Sequence, residues 1–240
     1  MPTSQILDWP DCINVRDLGG LATAGGGRIA AGALIRSDNL TRLTEAGIKI
    51  VREAGIGRIL DLRSAAECEH DPSPFAGEAL HCNRILARPD DPWDPALRLG
   101  ENYVINLDLN PDLYAAAVEA VATAPAGAVV VHCHSGKDRS GTVVALALSL
   151  AGVSAEAIAA DYAAVSEQTR ALFNEWLAAA TDPTEREQLA EELSSRPETM
   201  IAMLDHLDSG YGGTEAYLRR GGLGSEAVDR LRSRLIESAG

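Results

Sequence analysis

Ten consecutive residues of this chain concentrate its reactive groups: His132-Cys133-His134-Ser135-Gly136-Lys137-Asp138-Arg139-Ser140-Gly141. A cysteine is followed, after five residues, by an arginine. The apolar run Ala128-Val129-Val130-Val131 precedes them, and the alanine-rich run Thr142 to Leu150 follows. A short apolar run bounded by turn signals reads as a buried strand. A helix beginning just after it aims its first, unpaired N–H groups back at the intervening loop. The partial positive charge there favours an anion, so Cys133 is expected as a thiolate, the nucleophilic form. Arg139 offers a planar fork to two phosphate oxygens. Gly136, with His134 and Ser135, lets the loop amides point inward as an anion nest. Ser140 is placed to donate a hydrogen bond to the sulfur as it leaves. The chemistry these residues specify is attack on a phosphate ester.

Two other readings of the segment fail on spacing. A nucleotide-binding Gly-x4-Gly-Lys-Ser/Thr loop needs a glycine five residues before Gly136 and a hydroxyl after Lys137, where Asp138 stands. A zinc site would use His132, Cys133 and His134, but consecutive residues at a strand end do not converge on one ion, and no Cys-x2-Cys partner exists. No metal and no cofactor are expected. A buried cysteine on its own is ordinarily inert core; Gly136, Lys137 and Arg139 behind it argue otherwise.

Cys133-x5-Arg139 after a strand resembles the phosphate-binding loop of the protein tyrosine phosphatase superfamily. The fuller string is closer to one branch, the bacterial and fungal PtpB-like tyrosine and lipid phosphatases, whose signature is HCxxGKDR[ST]G. Further blocks resemble that branch in order: Asn14-Val15-Arg16-Asp17-Leu18-Gly19-Gly20, Arg36-Ser37-Asp38, Ile59-Leu60-Asp61-Leu62-Arg63, Asp161-Tyr162, and Tyr211-Gly212-Gly213-Thr214-Glu215-Ala216-Tyr217-Leu218. The likeness runs from about residue 14 to the end. It implies a cysteinyl-phosphate intermediate and an acid role for Asp138. It also implies mixed activity on phosphotyrosine, phosphoserine/threonine and phosphoinositides, with Lys137 holding a second phosphate, and a mobile helical cover over about 165–196.

The general acid is not fixed by the residues alone. Asp138 lies between two cations, Lys137 and Arg139, which favour its charged form. Asp91 and Asp94 lie in a plausible region upstream. Trp9-Pro10-Asp11 matches a Trp-Pro-Asp loop literally but precedes the first strand. Asp61, at the end of a neighbouring strand, is expected near the loop, orienting Arg139 or sharing proton work. Arg63 and Arg16 are expected as further phosphate contacts, or else as surface ion pairs. A phosphate-binding adaptor without turnover and a rhodanese-like sulfurtransferase are the alternative functions. A thiolate here also predicts reversible inactivation by peroxide, through sulfenic acid or a disulfide to Cys68 or Cys82.

The elements around the loop alternate. Residues 28–36 read as a strand or strand pair after Gly25-Gly26-Gly27. Thr44 caps a helix that Gly55 stops. Ile59 to Leu62 and Ala79 to Leu86 read as strands, and 87–102, with its prolines and glycines, as a loop. Asn110-Pro111 opens a helix that ends before Pro125-Ala126-Gly127. This order implies an α/β fold with a mostly parallel central sheet, helices on both faces and a site at the strand C-termini. After Gly152 the chain turns helical. Ser154 caps a helix carrying Ile158, Tyr162 and Val165. Leu172, Phe173, Trp176 and Leu177 share a helix face, Glu185 to Leu193 is a short charged helix, and Pro197 and Ser225 open two more.

The 240 residues, 46% hydrophobic, suit one domain with a substantial core. A single phosphatase domain over 1–240, acting as a monomer, is expected. The net charge of −14 argues against nucleic acid, which wants a basic face; the positive field of the loop is local. Four cysteines without framework spacing, and no signal-like N-terminus, suggest a cytoplasmic protein. No stretch approaches the roughly 18 apolar residues of a membrane span. The partner expected is a phosphorylated protein or a phosphoinositide.

Overall fold

The computed structural model describes residues 4–237, with the side chains of 165–168 outside that description. In chain order the strands are β1 (Gln5–Ile6), β2 (Arg16–Asp17), β3 (Arg28–Ile29), β4 (Leu34–Ser37), β5 (Ile56–Asp61), β6 (His81–Asn83), β7 (Ala128–His132) and β8 (Ile236–Glu237). The α-helices are α1 (Glu45–Glu53), α2 (Ala65–His70), α3 (Leu99–Leu109), α4 (Pro111–Ala122), α5 (Asp138–Leu150), α6 (Ala155–Ala179), α7 (Pro183–Glu192), α8 (Pro197–Tyr211), α9 (Thr214–Arg220) and α10 (Ser225–Leu235).

Six strands form one sheet in the order β1-β2-β4-β7-β5-β6. β4, β7, β5 and β6 run parallel, and β2 and β1 extend the β4 edge antiparallel. β3 and β8 pair separately. β7 is central and apolar from Ala128 to Val131 because it is covered on both faces. Val129 and Val131 join the larger core with Leu34, Leu60 and α3 to α6, while Val130 packs with Ile35, Ile59, Val51 and Phe75 on the other side. This period-two division is what a continuous apolar run means in a parallel sheet. Among the described residues no helix is long and apolar enough to cross a membrane.

Several expected boundaries hold for the expected reasons. The Thr44 side chain accepts from Gly47 N–H, and Gly55 takes a left-handed φ of 67° after α1. Pro111 opens α4 and Ser154 caps α6. Other expectations need correction. Of the two readings of 28–36, the structure has two strands, β3 and β4, which lie in different sheets; the strand expected over Ala79 to Leu86 is only β6. The loop expected over 87–102 ends at Arg98, where α3 begins. Gly100 lies in the first turn of that helix, where it breaks nothing. Glu101 reaches back to the Arg98 N–H at 2.8 Å, and Leu99, Tyr103 and Leu107 are buried along one side. The segment expected as a cover begins inside α6, a single 25-residue helix, and continues through α7. Val165, expected on the core face of α6, lies outside the described side chains.

Candidate active site

The carboxyl ends of three parallel strands lie side by side, with Ser37 of β4 and Asp61 of β5 both in register with His132 of β7. Cys133 is the next residue and is 2% exposed. This is where open α/β sheets place their ligands.

The loop from His134 to Lys137 is held by its carbonyls. Asn39 N–H donates to the His134 carbonyl at 2.9 Å, and Asn14 Nδ2 to that of Ser135 at 2.9 Å. Arg36 Nε donates to the Gly136 carbonyl at 2.7 Å, and its Nη2 to that of Lys137 at 2.8 Å. Among the described residues, the backbone N–H groups of Ser135 to Ser140 have no hydrogen-bonded acceptor. Carbonyls turned outward and amides left free make the expected anion nest, completed by the first turn of α5. Gly136 is obligatory: its φ is 69°, and a Cβ there would lie 2.4 Å from the Ser37 carbonyl oxygen.

Arg36 is in turn fixed by a buried ion cluster. Asp161 accepts from Arg36 Nη1 at 2.8 Å and from Arg16 Nε at 2.8 Å, and the three side chains are almost wholly buried. Burial opposes charge on Asp161, but the two guanidinium groups hold its carboxyl below the usual range. Two arginines against one carboxylate leave a net positive charge behind the loop, a local field in an acidic protein. Arg16 is therefore part of the loop's brace, neither a phosphate contact nor a surface ion pair.

Arg139 is oriented by Glu67, not by Asp61. Its Nη1 meets Glu67 Oε2 at 2.6 Å and its Nη2 meets Oε1 at 2.8 Å. Burial opposes charge on Glu67, but Arg139 and the Ser64 N–H pull its carboxyl down to about 2. Burial likewise opposes charge on Arg139, and Glu67 and Cys133 more than offset it. The pairing occupies one edge of the guanidinium, with Nη1 also reaching the Leu62 carbonyl at 3.3 Å. Among the described residues the adjacent Nε–H and second Nη2 hydrogen have no acceptor, the edge on which an arginine takes two oxygens of a phosphate. Glu67→Gln should lower kcat/KM about tenfold to a hundredfold, the worth of a charge-assisted hydrogen bond. Steady-state kinetics on a phosphomonoester checks this, and a loss below twofold would refute the orienting role.

Asp61 belongs to Arg63. Arg63 Nη2 lies 2.7 Å from Asp61 Oδ2, its Nε bonds the same carboxylate, and its Nη1 donates to the Asp71 carbonyl. Both side chains are buried, so Arg63 also corrects from phosphate contact to internal ion pair. Burial opposes charge on Asp61, yet His81 and Arg63 hold its carboxyl far below the ordinary range, so it has no proton to share. His132 Nε2 lies 3.6 Å from Asp61, but burial lowers the imidazole from 6.5 to about 4 and keeps it neutral. The folded state then binds fewer protons than the unfolded one between these values. The corresponding stability is complete above pH 6.5 and is lost as pH falls toward about 4. At 1.36 kcal/mol per pH unit it amounts to on the order of 3 kcal/mol. Denaturant titrations from pH 4.5 to 7.5 should show the slope in wild type and its flattening in His132→Asn; an unchanged slope would exclude His132 as the source.

Lys137 and Asp138 face each other at the start of α5. Lys137 Nζ is 2.5 Å from Asp138 Oδ1 and 3.0 Å from the Ser194 carbonyl just beyond α7. The ammonium expected to hold a second phosphate is thus buried between Asp138 and the Ser194 carbonyl. Asp138 Oδ1 also accepts from the Tyr103 hydroxyl of α3. Ser140 Oγ is buried and has no hydrogen-bond partner among the described residues.

Two of the alternative acids already accept hydrogen bonds from other groups. Asp91 takes the Arg88 N–H and Asn110 Nδ2, Asp94 caps the Ala96 N–H, and Trp9 is core. Of the other cysteines, burial and Asp38 push Cys12 up to about 12, and burial and Asp61 raise Cys68.

A parallel sheet that delivers a cysteine into a ring of free amides, closed by an oriented arginine, defines a phosphoric monoester hydrolase. The profile of a tyrosine phosphatase family matches residues 7–237. The triple specificity protein phosphatase PtpB of Mycobacterium tuberculosis is 27% identical, over 96% of this chain and 99% of its own length. A tyrosine-protein phosphatase of Nostoc commune is 29% identical, over 86% of this chain and 75% of its own. Among solved structures, P. aeruginosa TpbA aligns with a TM-score of 0.34 at 16% identity, covering 84% of this chain and 96% of that one. The chain belongs to the tyrosine phosphatase family.

Proposed function

We propose that this protein hydrolyses phosphomonoesters through a cysteinyl-phosphate intermediate, with phosphotyrosine as its first substrate class and phosphoserine/threonine and phosphoinositides as further ones. The observation that carries this is the loop itself: four carbonyls bonded outward, the amides of 135–140 unbonded, and Cys133 at its base. The phosphate sits in the amides and on the free edge of Arg139. Cys133 Sγ attacks phosphorus, the P–O bond breaks, and the leaving oxygen takes the Asp138 proton. Water then attacks phosphorus and gives a proton to the Asp138 carboxylate. The P–S bond breaks, and Cys133 leaves as a thiolate beside Ser140. His134, Ser135, Gly136 and Lys137 contribute their backbone N–H groups.

The wider substrate range draws support from the triple specificity named for the Mycobacterium tuberculosis relative. The segment 165–196 is proposed as the cover, with Lys137 and the Ser194 carbonyl as its seat on the loop. A closed cover excludes water and gates turnover. A phosphate-release panel on phosphotyrosine peptides, phosphoserine/threonine peptides and phosphoinositide vesicles tests the reading. Phosphotyrosine turnover is expected with the largest kcat/KM. Turnover of none of the three would overturn the reading, and turnover of phosphoinositides alone would overturn the order of substrates.

A further inference from the structure

Asp138 is held by one oxygen only. Lys137 Nζ and the Tyr103 hydroxyl both donate to Oδ1, and among the described residues Oδ2 has no hydrogen-bond partner. Tyr103 comes from α3, a helix otherwise outside the site, and is 5% exposed. Its hydroxyl also lies 3.1 Å from that of Tyr162 on α6. A carboxylate only accepts, so the single Tyr103 proton goes to Asp138 and Tyr162 must donate to Tyr103. The chain therefore runs one way: Tyr162 to Tyr103 to Asp138. Its far end is anchored, because the Tyr162 ring packs against Gly141, where a Cβ would lie 3.1 Å away, and against the guanidinium of Arg36.

We propose that Tyr103 is a positioning residue for proton transfer, fixing the Asp138 carboxyl by Oδ1 so that Oδ2 is the oxygen that carries the proton to the leaving group. This rests on the acid role given to Asp138 above. The groups facing the carboxyl fit it: Lys137 from the loop, Tyr103 from α3, with Tyr162 behind it and Arg139 next in the chain. Burial and the charge of Asp138 push the Tyr103 hydroxyl well above its ordinary value, so it remains a donor throughout the working range. A tyrosine suits the task, since its ring is locked in the core while its hydroxyl reaches one defined point. Lys137 alone, on a flexible stem, would leave the carboxyl free to rotate about its end.

Leaving-group dependence separates positioning from mere packing. Proton donation matters for a phosphotyrosine peptide, whose phenol is weakly acidic, and little for p-nitrophenyl phosphate, whose phenolate leaves readily. Tyr103→Phe, which removes only the hydroxyl, should lower kcat/KM on the peptide, which reports the acid-assisted first step alone, by about tenfold or more. It should change kcat/KM on p-nitrophenyl phosphate by less than about twofold, while kcat on both substrates also carries the shared hydrolysis step, in which Asp138 serves as base. Tyr162→Phe should show the same selectivity at a few-fold. If Tyr103→Phe fails to fold, the double variant Tyr103→Phe/Tyr162→Phe, which also removes the Tyr162 hydroxyl that Tyr103→Phe would leave without its acceptor, is judged by the same criteria. Equal losses on both substrates, or no loss on either, would overturn the proposal.

Asp138→Asn run in parallel separates the two levels of the argument. If it too lacks leaving-group selectivity, the acid assignment fails and the role of Tyr103 falls with it. If it is selective and Tyr103→Phe is not, only the positioning role is lost.

Discussion

Cys133→Ser should lose turnover by on the order of ten-thousandfold while the protein folds and still binds phosphate. Removing an enzyme nucleophile costs losses of this size or larger, because the remaining groups cannot replace the covalent step. The fold should tolerate the change. Cys133 is almost fully buried at the end of β7, and serine keeps its shape with a hydroxyl for a thiol. Binding should survive because the loop's shape is set by Asn14, Arg36 and Asn39 acting on carbonyls, none of which touches the sulfur. Removing a thiolate that faces a phosphate dianion also removes a like-charge repulsion. Initial rates on p-nitrophenyl phosphate, a thermal melt and phosphopeptide titration of the variant give the three readouts. Residual activity above about a hundredth of wild type would exclude Cys133 as the nucleophile. An unmodified protein that binds phosphopeptide but never releases phosphate would instead be an adaptor.

The parts of this site legible in the sequence are the local ones. Strand, loop and helix succeed one another within 128–150, so periodicity and one glycine suffice to place Cys133 in a nest. The β/α alternation likewise yields a parallel sheet, because each element's pattern is contained in the element. What could not be read is distance. Asp161 reaches Arg16 across 145 residues and Arg36 across 125, and nothing in the composition of either segment specifies the pairing. Arg16 therefore reads as a candidate for substrate, and Arg63 does too although its partner Asp61 is only two residues away, since an arginine near a phosphate site carries no mark of whether a carboxylate already holds it.

Two misses did leave a trace. Ser64-x-x-Glu67 is a capping-box pattern, and Ser64 and Glu67 do cap α2. It could have drawn attention to Glu67, whose carboxylate also orients Arg139. Leu99, Tyr103 and Leu107 lie at helical spacing through the start of α3, obscured by Gly100. Glycine breaks a helix interior, but in the first turn its N–H has no intrahelical partner to lose.

Asp161→Asn should be the most destabilising single substitution at the site. The carboxylate lies buried between two guanidinium groups, at 2.8 Å from each. Asparagine preserves the shape and removes the charge, leaving two buried cations facing each other. Breaking a buried pair in this way costs about 3–5 kcal/mol. For a chain of this size that is a fall in Tm of about 6–20 °C, read by calorimetry at pH 7. The sign with pH follows from the depressed carboxyl of Asp161. Its contribution is complete above the ordinary carboxylate value of about 3.9 and is lost as pH falls through the lower folded value. Acid should therefore narrow the gap between variant and wild type. Activity should fall as well, because a displaced Arg36 releases the Gly136 and Lys137 carbonyls and the amides behind them turn away from phosphate. The double variant Arg16→Met/Asp161→Asn decides whether charge is the cause. It returns the cluster from two uncompensated cations to one, as in wild type, and should recover at least half of the lost Tm. If the double variant melts no higher than Asp161→Asn alone, the carboxylate acts by its hydrogen-bond geometry and not by neutralising the pair.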